Sequence, residues 1–108
     1  MQAWYLWKDL WHYRGRIKAH KGKDKNMELK ETIELMESDD YKDRFRAEYY
    51  QLKIRAEKLD NMIYEFDNGT LLFEPKCPMG VLREQLHTMN RYIMLLEERA
   101  NDEGIELW

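Results

Sequence analysis

Two stretches of this chain carry the same repeat of apolar residues, and that repeat limits the fold more than any other feature of the sequence. In residues 41–66 the apolar positions are separated alternately by four and three residues; they are Phe45, Tyr49, Leu52, Ala56, Leu59, Ile63 and Phe66. Residues 79–101 repeat this spacing at Leu82, Leu86, Met89, Ile93, Leu96 and Ala100. Such alternation is the heptad repeat of helices that pack along a narrow seam.

The segment between the two stretches favours a turn. Asn68-Gly69 is typical of a helix C-cap, and Pro78 fits the first turn of a second helix. Two helices that have matched seams and are joined by a turn-rich segment pack as antiparallel neighbours. We therefore predict an all-α fold, a long antiparallel helical hairpin of residues 41–66 and 79–101. We expect Leu71, Leu72 and Phe73 to form an apolar plug that closes the end of the hairpin.

Size and charge set further limits. A chain of 108 residues forms one domain at most, and a hairpin cannot bury both of its faces alone, so we expect a homo-oligomer or further helices. The net charge of −3 conceals an asymmetry: residues 1–26 hold seven Lys or Arg against two Asp, whereas the rest of the chain is acidic. We accordingly divide the chain into an N-terminal segment, 1–26, and a hairpin domain, 27–108.

The N-terminal segment is predicted to form an aromatic, basic helix followed by a polar hinge. Trp4, Trp7 and Trp11 form one stripe at helical spacing. Three interpretations remain open: the helix packs on the hairpin as a third helix, it lies in a membrane interface, or its tryptophans stack on nucleobases while its basic residues bind phosphates. No run of eighteen apolar residues is present, so we expect no membrane span.

Nothing in the sequence favours catalysis. The three histidines are far apart, and no His/Cys or His/carboxylate spacing is typical of a metal site. The chain has neither a Gly-rich phosphate loop nor a nucleophile elbow. Cys77, which precedes a proline, is better explained as a capping or core residue than as a nucleophile. We predict a non-enzyme that needs no metal and no cofactor.

One flank of the predicted hairpin combines arginine and aromatic residues. If the seams pack in antiparallel register, Arg55 lies near Tyr92, and Glu48 near Arg99. These pairs can be a cation–π contact and an ion pair that only rigidify the hairpin. Alternatively they bind a ligand, with guanidinium groups on phosphates and the tyrosine stacked on a base. The candidate ligand-binding residues are Arg55, Lys58, Gln85, Tyr92 and Arg99, with Trp4, Trp7 and Trp11 as candidate base-stacking residues.

Three segments of the chain resemble a family of small helical-hairpin proteins from crAss-like phages and Firmicutes prophages. They are YKDRFRAEYYQLKIRAEKLDNMI, GTLLFEPKCP and LREQLHTMNRYIMLLEERANDEGIEL, within residues 41–107. The residues that match the family pattern are Leu52, Leu59, Pro75, Cys77, Pro78, Leu82, Gln85, Leu86, Met89, Tyr92 and Leu96. The tryptophan-rich first forty residues depart from that pattern, so the resemblance says nothing about them.

This family is similar, more distantly, to the oligomeric phage sponges that sequester the nucleotide messengers of bacterial CBASS and Thoeris defence. The resemblance implies a phage or prophage accessory protein, in the cytoplasm of the bacterial host, that sequesters a nucleotide-derived messenger as a homo-oligomer. The alternatives are a hairpin that docks on a host or phage protein, and a membrane-interface protein anchored through residues 1–20. We expect no binding to duplex nucleic acid.

Overall fold

The computed structural model describes residues 27–107, and the expectations for the N-terminal segment and its tryptophans lie outside that range. Within it, a 3-10 turn at Leu29–Thr32 leads into the short helix α1, Ile33–Met36. Two long helices follow, α2 at Tyr41–Asp67 and α3 at Met79–Glu103. No residue of 27–107 is in a strand. The all-α prediction is confirmed, and each long helix ends within two residues of its predicted end.

Local sequence explains where the long helices begin and end. The Asp40 side chain accepts a hydrogen bond from the Lys42 backbone N–H at 3.0 Å, which satisfies one of the unpaired donors of the first turn of α2. At the far end Gly69 adopts φ of +74°, a conformation that costs glycine little. Gly104 ends α3 with φ of +70°, and the chain then turns back so that Ile105 is buried.

The two long helices pack as the antiparallel hairpin that the heptad repeats predict. Side chains from both seams form one buried cluster: Phe45, Tyr49, Ala56 and Ile63 of α2 with Leu86, Ile93, Leu96 and Ala100 of α3. Leu59 and Met89 pack against the same cluster. Because most residues of both seams contribute, burial of apolar surface along the seam is the main source of the hairpin's stability.

The connection between the helices differs from the prediction. Leu72 is 97% exposed and Phe73 59% exposed, so these residues do not form an apolar plug. Phe66 is also exposed and contributes no buried layer. The reason lies at the start of α3, where Met79 and Leu82 pack against the core cluster and close the seam. The connecting loop therefore extends past the end of the core.

The segment before α2 covers a second face of that helix. Thr32 is fully buried, and the Gln51 side-chain amide donates to the Thr32 hydroxyl at 2.9 Å. Met27 packs against the core cluster. Tyr50 and Ile54, which are outside the seam, are buried as well. No helix of residues 27–107 is both long enough and apolar enough to cross a membrane.

Candidate ligand-binding site

The flank of the hairpin that carries Tyr92 is held together by direct contacts between α2 and α3. The Tyr92 hydroxyl donates a short hydrogen bond to Glu48 Oε2. That bond, with partial burial, raises the pKa of the Tyr92 phenol above its ordinary value, although the nearby Arg99 opposes the rise. The phenol therefore stays neutral at physiological pH, and its hydroxyl is fixed while 42% of the residue remains exposed.

Arg99 lies one heptad further along the same flank. Its Nη2 donates to the Tyr41 hydroxyl at 2.8 Å, and its Nε donates to Glu103 Oε2 at 3.3 Å. The guanidinium carbon lies 4.9 Å from the centre of the Phe45 ring, within the range of a cation–π contact. The hydrogen bond to Glu103 is the main cause of a raised pKa at Arg99. The cation is thus permanently charged and already oriented.

The cross-helix partners differ from the predicted ones by one heptad. Glu48 pairs with Tyr92 in place of Arg99, and Arg99 pairs with Tyr41. On the opposite flank Arg83 forms two hydrogen bonds to Asp67, at 2.6 and 3.0 Å. The register of the seams alone would place Asp60 opposite Arg83 and Arg55 opposite Tyr92, so the observed contacts are displaced in opposite directions along the hairpin. Two helices that cross at an angle have this geometry. When one helix is turned relative to the other, its contacts on one flank shift towards one end of the hairpin and those on the other flank shift towards the opposite end.

The remaining predicted ligand residues, Arg55, Lys58 and Gln85, lie on the same flank and form no cross-helix hydrogen bond or ion pair within residues 27–107. Arg55 follows Glu48 by seven residues on α2, and Gln85 precedes Tyr92 by seven on α3. The observed pairing of Glu48 with Tyr92 therefore places Arg55 opposite Gln85. Arg55 and Lys58 are exposed, and neither forms a hydrogen bond or ion pair with another residue of 27–107. Lys58 lies further from the seam than Arg55 does.

A shallow depression of about 560 Å³ adjoins this flank on α3. It contains both Gln85 and Tyr92, and its full set of described lining residues is Gly80, Val81, Glu84, Gln85, Thr88, Met89 and Tyr92. Val81 and Met89 supply apolar surface, whereas Gln85 and Glu84 supply polar groups at the rim. Gln85 and Tyr92 therefore share this depression, whereas Arg55, Lys58 and Arg99 are not among its lining residues.

The opposite flank is polar as well, but several of its polar groups are buried and have partners in the protein. Lys53 is 6% exposed, and its ammonium lies 5.8 Å from the centre of the Tyr49 ring. The Tyr49 hydroxyl donates to Glu97 at 2.7 Å. Asp60, also buried, has an interaction partner in the protein. These contacts stabilise the packing of the hairpin, and they leave the Tyr92 flank as the accessible one.

Residues that could perform chemistry are scattered over the described chain. Cys77 is exposed in the loop before α3, and His87 lies on the buried polar flank. Among residues 27–107 no group of three or more His, Cys, Asp or Glu side chains is placed to hold a metal ion. The arrangement on the Tyr92 flank, with a fixed guanidinium and an exposed phenol ring, is suited to binding anions and planar rings.

Sequence reasoning missed two residues that fix Arg99. Glu103 accepts hydrogen bonds from Arg99 and from the Tyr41 hydroxyl, and the Phe45 ring lies beside the guanidinium. The signal for Glu103 was available, because a residue four positions after an arginine lies on the same helical face. Phe45 offered no such signal, since a seam residue is expected to contact the facing seam and not an arginine on the flank.

Comparison with known proteins identifies a family for the greater part of the chain. The family model Sequestin matches residues 39–102, which include nearly all of α2 and α3. No curated protein matches the chain. No solved structure matches it either. The match extends over more than half of the 108 residues, and the chain therefore belongs to the Sequestin family.

Proposed function

We propose that this protein binds and sequesters a nucleotide-derived immune messenger without altering it, as an accessory protein of a phage or prophage. The observation that carries the proposal is the composition of the Tyr92 flank, which presents one fixed cation, one exposed ring and two further cations. Arg99 is held in place, and Arg55 and Lys58 have no hydrogen-bond or ion-pair partner within residues 27–107. The family name supports a sequestering role.

The proposed division of labour follows from the chemistry of these side chains. Arg55 and Lys58 bind phosphate oxygens, because charge-assisted hydrogen bonds to phosphate are the strongest that exposed side chains offer. The Tyr92 ring stacks on a base, and its hydroxyl, held by Glu48, fixes the plane of the ring. Gln85 has a donor and an acceptor for the edge of the base. Arg99 maintains positive potential at the end of the site.

Charge argues against a nucleic-acid duplex as the ligand. Residues 27–108 hold eleven Lys or Arg against nineteen Asp or Glu, and an acidic domain repels a long phosphate backbone. A small nucleotide with few phosphates needs only a local group of cations, which the Tyr92 flank offers. A messenger of this kind is made in the cytoplasm of an infected bacterium, so we place the protein there.

Calorimetry with a panel of cyclic di- and trinucleotides and cyclic ADP-ribose isomers tests the proposal. At least one ligand is expected to bind, and Arg55→Gln and Lys58→Gln are each expected to weaken binding by about tenfold or more. Lys30→Gln is the matched control, because Lys30 is an exposed cation outside the long helices and its loss is expected to leave binding unchanged. If no member of the panel gives a heat of binding, this form of the proposal is refuted.

Two substitutions at one position separate stacking from hydrogen bonding. Tyr92→Phe removes the bond to Glu48 but keeps the ring, so most of the affinity is expected to remain. Tyr92→Ala removes the ring, and loss of base–aromatic stacking is expected to weaken binding by about tenfold or more. Equal affinity of the two variants would contradict the role given to the ring.

A further inference from the structure

The two flanks of the hairpin are buried to very different extents. On the buried polar flank Lys53 is 6% exposed, Asp60 4% and Asn90 1%. On the Tyr92 flank Tyr92 itself is 42% exposed, and Arg55 is exposed as well. Two packed helices enclose the residues of their seam but leave the residues on both flanks in contact with solvent. The burial of one flank therefore requires cover from chain outside α2 and α3.

The hydrogen bonds that hold the other described segments lie away from the centre of the buried polar flank. The Gln51 amide holds Leu29–Met36, and Gln51, two residues before Lys53, points to nearly the opposite side of α2. In the C-terminal tail the Glu106 carbonyl accepts a hydrogen bond from Arg46, seven residues before Lys53. The connecting loop extends past the other end of the core. These contacts leave the centre of the flank to be covered by another part of the chain.

The chain that remains is the N-terminal segment, and we infer that residues 1–26 fold back onto the buried polar flank and cover it. The segment ends at the hairpin, because Met27 packs against the core cluster that includes Tyr49. Tyr49 also lies next to the flank, and the centre of its ring is 5.8 Å from the Lys53 ammonium. The distance from Lys53 to Asp60 is about 10 Å along α2, which even a fully helical segment of this length exceeds at about 1.5 Å per residue.

The aromatic side chains of the segment suit this surface. Trp4, Trp7 and Trp11 share one face at helical spacing, and an indole ring packs well on aliphatic stems and aromatic rings. The side-chain oxygen of Asn90 is buried and has no hydrogen-bond partner within residues 27–107. A buried acceptor without a donor is costly, and the indole N–H is a donor that can satisfy it. A cover rich in tryptophan therefore supplies both the apolar area and the donor that the flank requires.

Charge favours the same arrangement. Residues 1–26 hold seven Lys or Arg against two Asp, whereas the rest of the chain holds eleven Lys or Arg against nineteen Asp or Glu. The segment and the hairpin domain therefore attract one another. With the segment in this position its three tryptophans are buried against the hairpin and take no part in stacking on a base, and the Tyr92 flank stays open. The inference does not depend on the proposed function, because it concerns the other flank.

Lysine footprinting of the full chain tests the inference. Brief acetylation with acetic anhydride, mapped by mass spectrometry, compares Lys53 with the exposed Lys58 on the same helix. In the unmodified chain we expect Lys53 to react at least about tenfold more slowly, because the flank has to open first. A triple variant replaces the three N-terminal tryptophans: Trp4→Ala, Trp7→Ala and Trp11→Ala. This variant lacks the cover, so Lys53 should react within about twofold of Lys58. Leu72→Ala, at an exposed apolar residue of the loop, is the matched control and should leave Lys53 protected.

Tryptophan fluorescence gives a second test, which decides the question if the triple variant does not fold. In the Trp108→Phe variant the emission comes only from the three N-terminal tryptophans. We expect acrylamide to quench this emission several-fold less in buffer than in urea. Equal quenching in buffer and in urea would overturn the inference and leave the tryptophans to a membrane surface or a nucleobase. Protection of Lys53 that persists in a folded triple variant, or that is absent from the unmodified chain, would overturn it as well.

Discussion

The contribution of the seam to stability can be measured by comparing two leucines that differ only in their surroundings. Leu86 is fully buried between α2 and α3, whereas Leu72 is 97% exposed in the connecting loop. Leu86→Ala removes the same atoms as Leu72→Ala but leaves a cavity in the core. We expect the first change to lower the free energy of unfolding by about 3 kcal/mol, and the second to lower it by less than about 0.5 kcal/mol.

Urea unfolding followed by circular dichroism is the assay, with all proteins at one concentration because association adds to apparent stability. For a domain of this size the free energy of unfolding falls by about 1.5 kcal/mol for each molar increase in urea concentration. The midpoint for Leu86→Ala is therefore expected to fall by about 2 M relative to the unmodified chain, and that for Leu72→Ala to stay within about 0.3 M. Equal shifts would refute the assignment of the core.

Three further predictions concern single contacts. Arg83→Gln removes the bidentate pair with Asp67. Because both side chains are partly exposed, we expect the free energy of unfolding to fall by about 0.5 kcal/mol, and by less at high salt. Urea unfolding at two ionic strengths would measure both effects. Gly104→Ala places a side chain on a residue with φ of +70° and so strains the backbone. We expect the free energy of unfolding to fall by about 1 kcal/mol, which lowers the melting temperature by a few degrees. Ultraviolet titration should find the Tyr92 phenol ionising above pH 10.0, and Glu48→Gln should lower its pKa.

The raised pKa of Tyr92 determines how the stability of the protein changes with pH. Folding raises the pKa of this phenol, so the folded state favours the neutral form. The stabilisation from its hydrogen bond is fully present below the ordinary tyrosine pKa of 10.0 and is lost as pH rises through the raised value. Stability that instead increased in that alkaline range would contradict the assignment.

The sequence was sufficient to predict the hairpin because its heptad repeat leaves only one face of each helix suitable for a core. Leu59 and Met89, one from each predicted seam, pack against one cluster. The loop could not be predicted in the same way. Apolar residues such as Leu72 were assumed to be covered, but composition does not reveal where a core ends, and Met79 already closes the seam.

The candidate site could be predicted as a set of residues but not as a set of contacts. Tyr92 and Arg99 were assigned to one flank by their spacing of seven, and the structure places them on that flank. Their partners, Glu48 and Tyr41, depend on how the two helices cross. Sequence periodicity determines which face a side chain occupies, whereas its position along the facing helix depends on a crossing angle that only the packed structure defines.

Sequestration is tested most directly by purifying the protein from bacteria in which a nucleotide-based defence has been activated, denaturing it, and recording a mass spectrum of the small molecules released. If the protein sequesters a messenger, the unmodified chain releases a nucleotide in near-stoichiometric amount and the Arg55→Gln variant does not. A folded protein that releases no nucleotide from such cells would contradict sequestration as its function.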